Sequence, residues 1–214
     1  MSANWNIATR WITCAYISIG SNTRKCIHEG SLAYPCIFHK NHYILYIKRL
    51  FMNISYCSID SPLGELIAVA DEDYLLLLEF SDSKQLQKKL SSLDIGESWS
   101  NPLLDQTEKE LSEYFAWKRK NFSIPLAPTG TKFQQKAWEA LTQIPFGETL
   151  SYKQEAILAW NPKAVRAIGG ANNKNPIVII IPCHRVIGAD GNLVGYGGGM
   201  TRKIWLIEHE KKSL

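Results

Sequence analysis

Cys183 is the side chain of this sequence best suited to chemistry of its own. It lies within Ile179-Ile180-Ile181-Pro182-Cys183-His184-Arg185-Val186. A thiol attacks carbon as the thiolate, and a neighbouring base or a positive environment lowers the cost of ionisation. His184 is the adjacent candidate base. The run Pro176 to Ile181 is β-branched and too short for an ordinary helix, so it reads as a buried extended segment that carries Cys183 into the interior. On extended backbone, adjacent side chains point to opposite faces. A direct Cys183–His184 contact is therefore not expected, and a water or a bend after Cys183 must relay the proton. Alone the dipeptide is weak evidence, because most buried cysteines are inert hydrophobes.

The chain that must position this stretch has 214 residues, enough for one large domain or two small ones, and its 45% hydrophobic and 11% aromatic content can bury a core. Charge is unevenly spread. Met1 to Phe51 holds 6 Lys/Arg and 1 Asp/Glu (net +5), Met52 to Pro128 holds 7 and 13 (net −6), and Thr129 to Leu214 holds 11 and 6 (net +5). The last segment is the candidate for meeting a polyanion. Cys14, Cys26, Cys36, Cys57 and Cys183 are odd in number, irregularly spaced and without a Cys-x-x-Cys pair. Neither a disulfide framework nor a zinc ribbon is indicated, and a reducing, cytoplasmic setting (nuclear in a eukaryote) fits. No apolar run approaches a membrane span. Trp11 to Gly20 makes a poor signal-peptide core, with sparse charge before it and no small-x-small cleavage site.

Residues 1–51 show no clean period and are expected to be an appended extension or translated upstream sequence. Residues 52–128 read as a small α/β domain. Alternation from Asn53, a turn at Asp60-Ser61-Pro62-Leu63-Gly64, and strands over Glu65 to Ala70 and Leu75 to Phe80 predict an antiparallel meander. Helices are predicted over Lys84 to Leu93 and from Pro102 to about Trp117, with a last strand over Phe122 to Leu126. Residues 129–214 read as mainly helical. Thr131 and Ser151 are predicted N-caps, and Asn161-Pro162 is predicted to start the helix running to about Asn172. Two short helices, the second lined with small residues around Arg166, suggest a helix-turn-helix. Gly195-Tyr196-Gly197-Gly198-Gly199 lacks the frame of a phosphate loop and reads as a loop whose backbone can approach a flat ligand. The last helix, Met200 to about Lys211, is expected to turn Ile204, Trp205 and Ile207 inward.

Taken together, these residues resemble the methylated-DNA–protein-cysteine methyltransferases, also called O6-alkylguanine-DNA alkyltransferases, over residues 53–210. The likeness is carried by Ile144-Pro145-Phe146-Gly147-Glu148-Thr149-Leu150-Ser151-Tyr152, Ala164-Val165-Arg166-Ala167-Ile168-Gly169, Asn175-Pro176, Pro182-Cys183-His184-Arg185-Val186, and Gly195-Tyr196 through Glu210. The resemblance implies an α+β protein: a small ribonuclease-H-like sheet and helix domain followed by a mainly helical domain with a helix-turn-helix. It implies one irreversible transfer of an alkyl group from O6 of guanine in double-stranded DNA to Cys183, by a monomer, after the base is flipped from the minor groove. Whether O4-alkylthymine is also taken stays open. By position His184 would receive the thiol proton through a water, Glu210 would orient His184, and Asn175 would hold the site together. Tyr152 would assist the departing guanine. Arg166 would enter the base stack, with Ala164, Ala167 and Gly169 near the DNA. Val186, Tyr196, Gly197 and Gly198 would wall the base pocket.

The chemistry agrees with this. The alkyl carbon is buried in the duplex, so the base must leave the stack at a cost of roughly a few kcal/mol, and small helix residues suit a groove read by shape. Thiolate attack on carbon needs no metal or organic cofactor. Some members hold structural zinc through N-terminal cysteines and a histidine, a set that Cys57 does not reproduce. Rival readings are a lesion-binding DNA module without chemistry, a Cys-His hydrolase, and a Cys/His metal protein.

Overall fold

The computed structural model describes residues 24–25, 35–36, 54–91, 93 and 101–212. The chain divides into two compact units, Met1–Phe51 and Met52–Leu214. In the first, strands β1 (Arg24–Lys25) and β2 (Pro35–Cys36) pair antiparallel. The other readings made on residues 1–51 lie outside the described residues.

The second unit opens with the predicted meander: β3 (Ser55–Ile59), β4 (Leu66–Ala70) and β5 (Leu75–Phe80), antiparallel in the order β3-β4-β5. β5 is buried along its whole length, because both faces of the sheet are covered. Leu66, Ala68, Leu78 and Phe80 join the main core, whereas Val69 and Leu77 pack under Leu86 and Leu90. The latter two belong to α1 (Leu86–Leu90), shorter at both ends than the predicted Lys84 to Leu93. α2 (Pro102–Phe115) starts at its proline, and the Asn101 side chain accepts from Leu103 N. Its buried face, Leu103, Leu104, Leu111 and Tyr114, completes the core over the sheet. The strand predicted over Phe122 to Leu126 is reduced to one parallel bridge, Leu126 with Leu75. Pro125 and Pro128 lack the N–H groups a longer ladder would use.

In the helical half, α3 (Lys132–Thr142) and α4 (Tyr152–Leu158) each begin with a capping box, Thr131 with Gln134 and Ser151 with Gln154, at the predicted caps. α5 (Val165–Asn172) starts three residues later than expected. Asn161 does not cap it. Ala164 N instead donates to Asn161 O at 2.9 Å, so Asn161-Pro162 forms a turn, entered through Trp160 at φ 58°. Ala137, Ala140, Ala156, Ala159 and Ala171 with Ile168 make the seam of α3, α4 and α5. Small residues let these three short helices pack closely.

α6 (Met200–Lys211) has the predicted span, but Ile204 is 40% exposed. The buried stripe runs instead through Lys203, Leu206, Ile207 and Glu210, at helical spacing. The helix carries two charged groups inward, and Ile204 turns outward in consequence.

Pro176 to Ile181 is buried as expected but is not extended. Leu78 N donates to Pro176 O at 2.9 Å and Val178 N to Leu78 O at 2.9 Å, a single parallel bridge at Ile177. Tight turns follow, with Ile179 at φ 71°, an outlier for a β-branched residue. The Asn175 side chain makes this possible: its Oδ1 accepts from Ile177 N at 3.0 Å and its Nδ2 donates to Ile181 O at 2.8 Å. Those groups would otherwise need a strand neighbour. A 3₁₀ turn, Cys183–Arg185, leads to β7 (Val186–Ile187), which pairs parallel to β6 (Leu150–Ser151). The whole is α+β: a small antiparallel-sheet domain followed by a mainly helical one. No helix among the described residues is long and apolar enough to cross a membrane.

Candidate active site

Cys183 is the first residue of the 3₁₀ turn and is 6% exposed. The hydrogen-bond partner of its Sγ is Asn175 Nδ2, at 3.1 Å, not His184. On a 3₁₀ turn successive side chains diverge by about 120° rather than 180°, so the bend required for a relay lies at the cysteine itself. Burial pushes the thiol up to about 11, against the Asn175 hydrogen bond and the charge of Lys203, which both favour the thiolate. Lys203 is fully buried. Its Nζ donates to the carbonyls of Val186 at 2.5 Å, Val194 at 2.9 Å and Gly195 at 3.3 Å. Carbonyl dipoles hold this cation in place of a carboxylate.

Glu210, 1% exposed, collects five donors. His184 Nε2 lies 2.9 Å from Oε1, and Arg185 reaches Oε2 through Nε at 2.9 Å and Oε1 through Nη2 at 3.0 Å. Tyr114 OH donates to Oε1 at 2.8 Å and Gly147 N to Oε2 at 3.0 Å. Gly147 has φ 80°, a conformation that suits glycine. Burial opposes ionisation of Glu210, but His184 and Arg185 outweigh it and hold the carboxyl well below the usual range. Arg185 also donates to Ile144 O at 2.6 Å.

Burial lowers the pKa of His184 despite the carboxylate beside it, so the imidazole is neutral at physiological pH. With Glu210 ionised, the hydrogen bond at Nε2 places the ring proton there. Nδ1 is then a buried lone pair, and it has no hydrogen-bond partner. The ring is set up as a proton acceptor at Nδ1, with a carboxylate behind it to stabilise the imidazolium.

In front of Cys183 is a cavity of about 110 Å³, lined also by Tyr152, Gly169, Asn172, Tyr196 and Gly197. Tyr152 OH donates to Val194 O at 3.2 Å, and a Cβ on Gly169 would meet the Tyr152 ring at 3.7 Å. The Tyr196 hydroxyl is buried without a partner. Two predicted wall residues are placed elsewhere. Val186 is fully buried with its carbonyl on Lys203, and Gly198 lies between rings, where a Cβ would come within 2.7 Å of Tyr196 and 2.9 Å of Phe80. On the helix-turn-helix, Arg166 and Ala167 are exposed, and Ala164 and Gly169 are partly so. The site joins Cys183, Tyr152 and Tyr196 at the cavity, holds the Cys183 sulfur through the buried Asn175, pairs His184 with Glu210 in the interior, and leaves Arg166 on the exposed face of α5. Sequence reasoning missed Lys203, Arg185, Tyr114 and Asn172. The one signal for Lys203 was a charge spaced like Leu206 and Glu210 along α6. No cluster of three or more His, Cys, Asp or Glu among the described residues could hold a metal ion.

The chain is similar to known proteins in both sequence and fold. Residues 54–128 match the 6-O-methylguanine DNA methyltransferase, ribonuclease-like domain, and residues 132–212 match the 6-O-methylguanine DNA methyltransferase, DNA binding domain. The chain is 43% identical over 159 residues to the constitutive methylated-DNA–protein-cysteine methyltransferase of Bacillus subtilis, covering 74% of this chain and 96% of that one. It is 41% identical over 157 residues to that of Methanosarcina acetivorans, covering 72% and 97%. The crystal structure of the Mycobacterium tuberculosis O6-methylguanine methyltransferase superposes with TM-score 0.66 at 40% identity, over 75% of this chain and 94% of that one. The Mycobacterium tuberculosis protein in complex with DNA gives 0.67 at 40% identity, over 74% and 94%. Matched in both halves and over nearly the full length of these relatives, the chain belongs to the 6-O-methylguanine DNA methyltransferase family.

Proposed function

We propose that this methylated-DNA–protein-cysteine methyltransferase repairs O6-alkylguanine in double-stranded DNA by a single, irreversible transfer to Cys183. The observation that carries this reading is the thiol at the cavity wall with the His184–Glu210 pair behind it. The thiol proton passes through a water to His184 Nδ1, and the imidazolium is stabilised by Glu210. The sulfur attacks the alkyl carbon, the carbon–O6 bond breaks with its electron pair going to the guanine, and Tyr152 supplies a proton or hydrogen bond to the departing base. A thioether at Cys183 offers no easy path back, so each molecule acts once. O4-alkylthymine presents the same kind of ether carbon.

The base reaches the cavity by leaving the helix stack from the minor groove. Residues 129–214 serve as the DNA-binding and transfer domain. The exposed face of α5 meets the groove through Ala164, Ala167 and Gly169, and Arg166 fills the gap left by the base. Residues 52–128 serve as a supporting α/β domain, and residues 1–51 are an appended N-terminal extension. The protein works as a cytoplasmic (or nuclear) monomer.

The test is peptide mass mapping after mixing the protein with a duplex carrying one O6-methylguanine. The expected result is one methyl per protein on the peptide that contains Cys183, guanine restored in the DNA, and neither change with Cys183→Ser. An unmodified peptide from folded protein that still binds the duplex would overturn transfer and leave a lesion-binding module.

A further inference from the structure

The loop that walls the cavity is fastened to the sheet through Arg202. Tyr196 and Gly197 line the cavity beside Cys183, on a tight turn that Gly199 N closes by donating to Tyr196 O at 3.0 Å. Three of the four residues of this turn are glycines, so it has little stiffness of its own. Arg202 and Lys203 follow in the first turn of α6, which holds no acidic residue and has no side-chain cap. Two cations at the positive end of a helix disfavour it, so helix formation does not account for them. Their contacts do. Lys203 holds the loop from within, through the carbonyls of Val194 and Gly195. Arg202 holds it from the sheet. Its Nη1 donates to Gly198 O at 3.1 Å and to Asp82 Oδ1 at 2.9 Å, its Nη2 to Asp82 Oδ2 at 2.9 Å, and its Nε to Leu63 O at 2.9 Å. The guanidinium also lies over the Phe80 ring, 4.0 Å from its centre. Gly64, at φ 104°, leaves room for it, since a Cβ there would lie 3.2 Å from Nη2. A fork bound bidentately and stacked on a ring has a fixed plane. It can therefore fix the carbonyl of a flexible turn.

We infer that Arg202 is a positioning residue for the transfer. Leu63, Phe80 and Asp82 of the sheet domain set the guanidinium, and the guanidinium sets the 196–199 turn that closes the cavity beside Cys183. Asp82 is a second positioning residue, one step further out, because its carboxylate meets the turn through Arg202. The wall then stands in place before a base arrives, and its ordering is not a cost of the reacting complex. This inference rests on the alkyl-transfer reading of the same cavity.

The experiment is single-turnover methyl transfer to Cys183 from a duplex carrying one O6-methylguanine, measured over a range of protein concentrations. The rate at saturation then separates from the concentration that half-saturates it. Arg202→Ala is expected to lower the saturating rate about 3- to 15-fold and to leave the half-saturating concentration within about twofold. Arg202→Lys, which keeps the charge but not the fork, should fall between that variant and the wild type. Asp82→Ala, at an exposed carboxylate, should lower the saturating rate about 2- to 5-fold and add nothing in the Arg202→Ala background. A role in stability alone would shift Tm and leave these rates at the wild-type value. An unchanged saturating rate in folded Arg202→Ala overturns the inference. So does a loss confined to the half-saturating concentration, which would make Arg202 a DNA contact. If Arg202→Ala does not fold, Asp82→Ala and Arg202→Lys decide, and wild-type saturating rates in both overturn the inference. An Asp82→Ala loss that persists at full size in the double variant overturns it as well. Absence of methyl on Cys183 of the wild type would instead remove the alkyl-transfer reading itself.

Discussion

Glu210 sets the state of two neighbours at once. It fixes the proton of His184 on Nε2, which leaves Nδ1 free to accept, and it neutralises the buried guanidinium of Arg185. Glu210→Gln keeps the shape but removes the charge that both need. It should cost about 3–5 kcal/mol, the range for breaking a buried ion pair from one side, and slow methyl transfer to Cys183. Its pH dependence has a definite sign. The folded-state pKa of Glu210 lies below the ordinary 4.5, so its stabilisation is fully present above that value and is lost as pH falls below it. Thermal denaturation should show the largest gap in Tm between wild type and Glu210→Gln near neutral pH, shrinking in acid. A gap independent of pH would contradict the assignment. At this scale the sequence named Cys183, His184 and Glu210 through ordered motifs. It could not name Arg185 or Lys203, because whether a charge is buried depends on which carbonyls and carboxylates fold around it.

Among the elements, α5 runs from the exposed face proposed to meet DNA to the cavity, with Arg166 near its start and Asn172 at its end. Arg166→Ala should slow repair of O6-methylguanine in a duplex by about one to two orders of magnitude, because the gap in the stack is no longer filled and extrusion costs a few kcal/mol. Reaction with the free base O6-methylguanine should be nearly unchanged. Comparing the two rates checks this, and an equal loss on both would place the arginine's effect elsewhere. Helices signalled by local chemistry were legible, as with Thr131 and Ser151 with their reciprocal glutamines. Two segments were not. The apolar run before Cys183 reads as a strand by composition, but Asn175 supplies hydrogen bonds that allow it to turn. The dipeptide Asn161-Pro162 looks like a helix start, but the chain closes a turn there first.

For the molecule as a whole, the acidic and basic segments of the second unit share one core, in which Leu66 and Tyr114 pack with Trp138 and Ile181. The meander was legible because its alternation and turns are local. The way it supports the site was not, because that contact joins residues about a hundred positions apart. Leu78 pairs with Ile177, Lys89 Nζ donates to Asn175 O at 2.8 Å, and Tyr114 reaches Glu210. The sheet domain thus holds the segment that carries Cys183.

The bridge between Leu78 and Ile177 has a consequence for chain continuity. Contacts through space, not the peptide bond between Pro128 and Thr129, hold the Cys183 segment against the sheet. The protein should therefore tolerate division at that bond. Fragments 1–128 and 129–214, expressed together, should copurify and accept methyl on Cys183, whereas 129–214 alone should accept little. Active protein from the second fragment by itself would show that the sheet is dispensable to the chemistry.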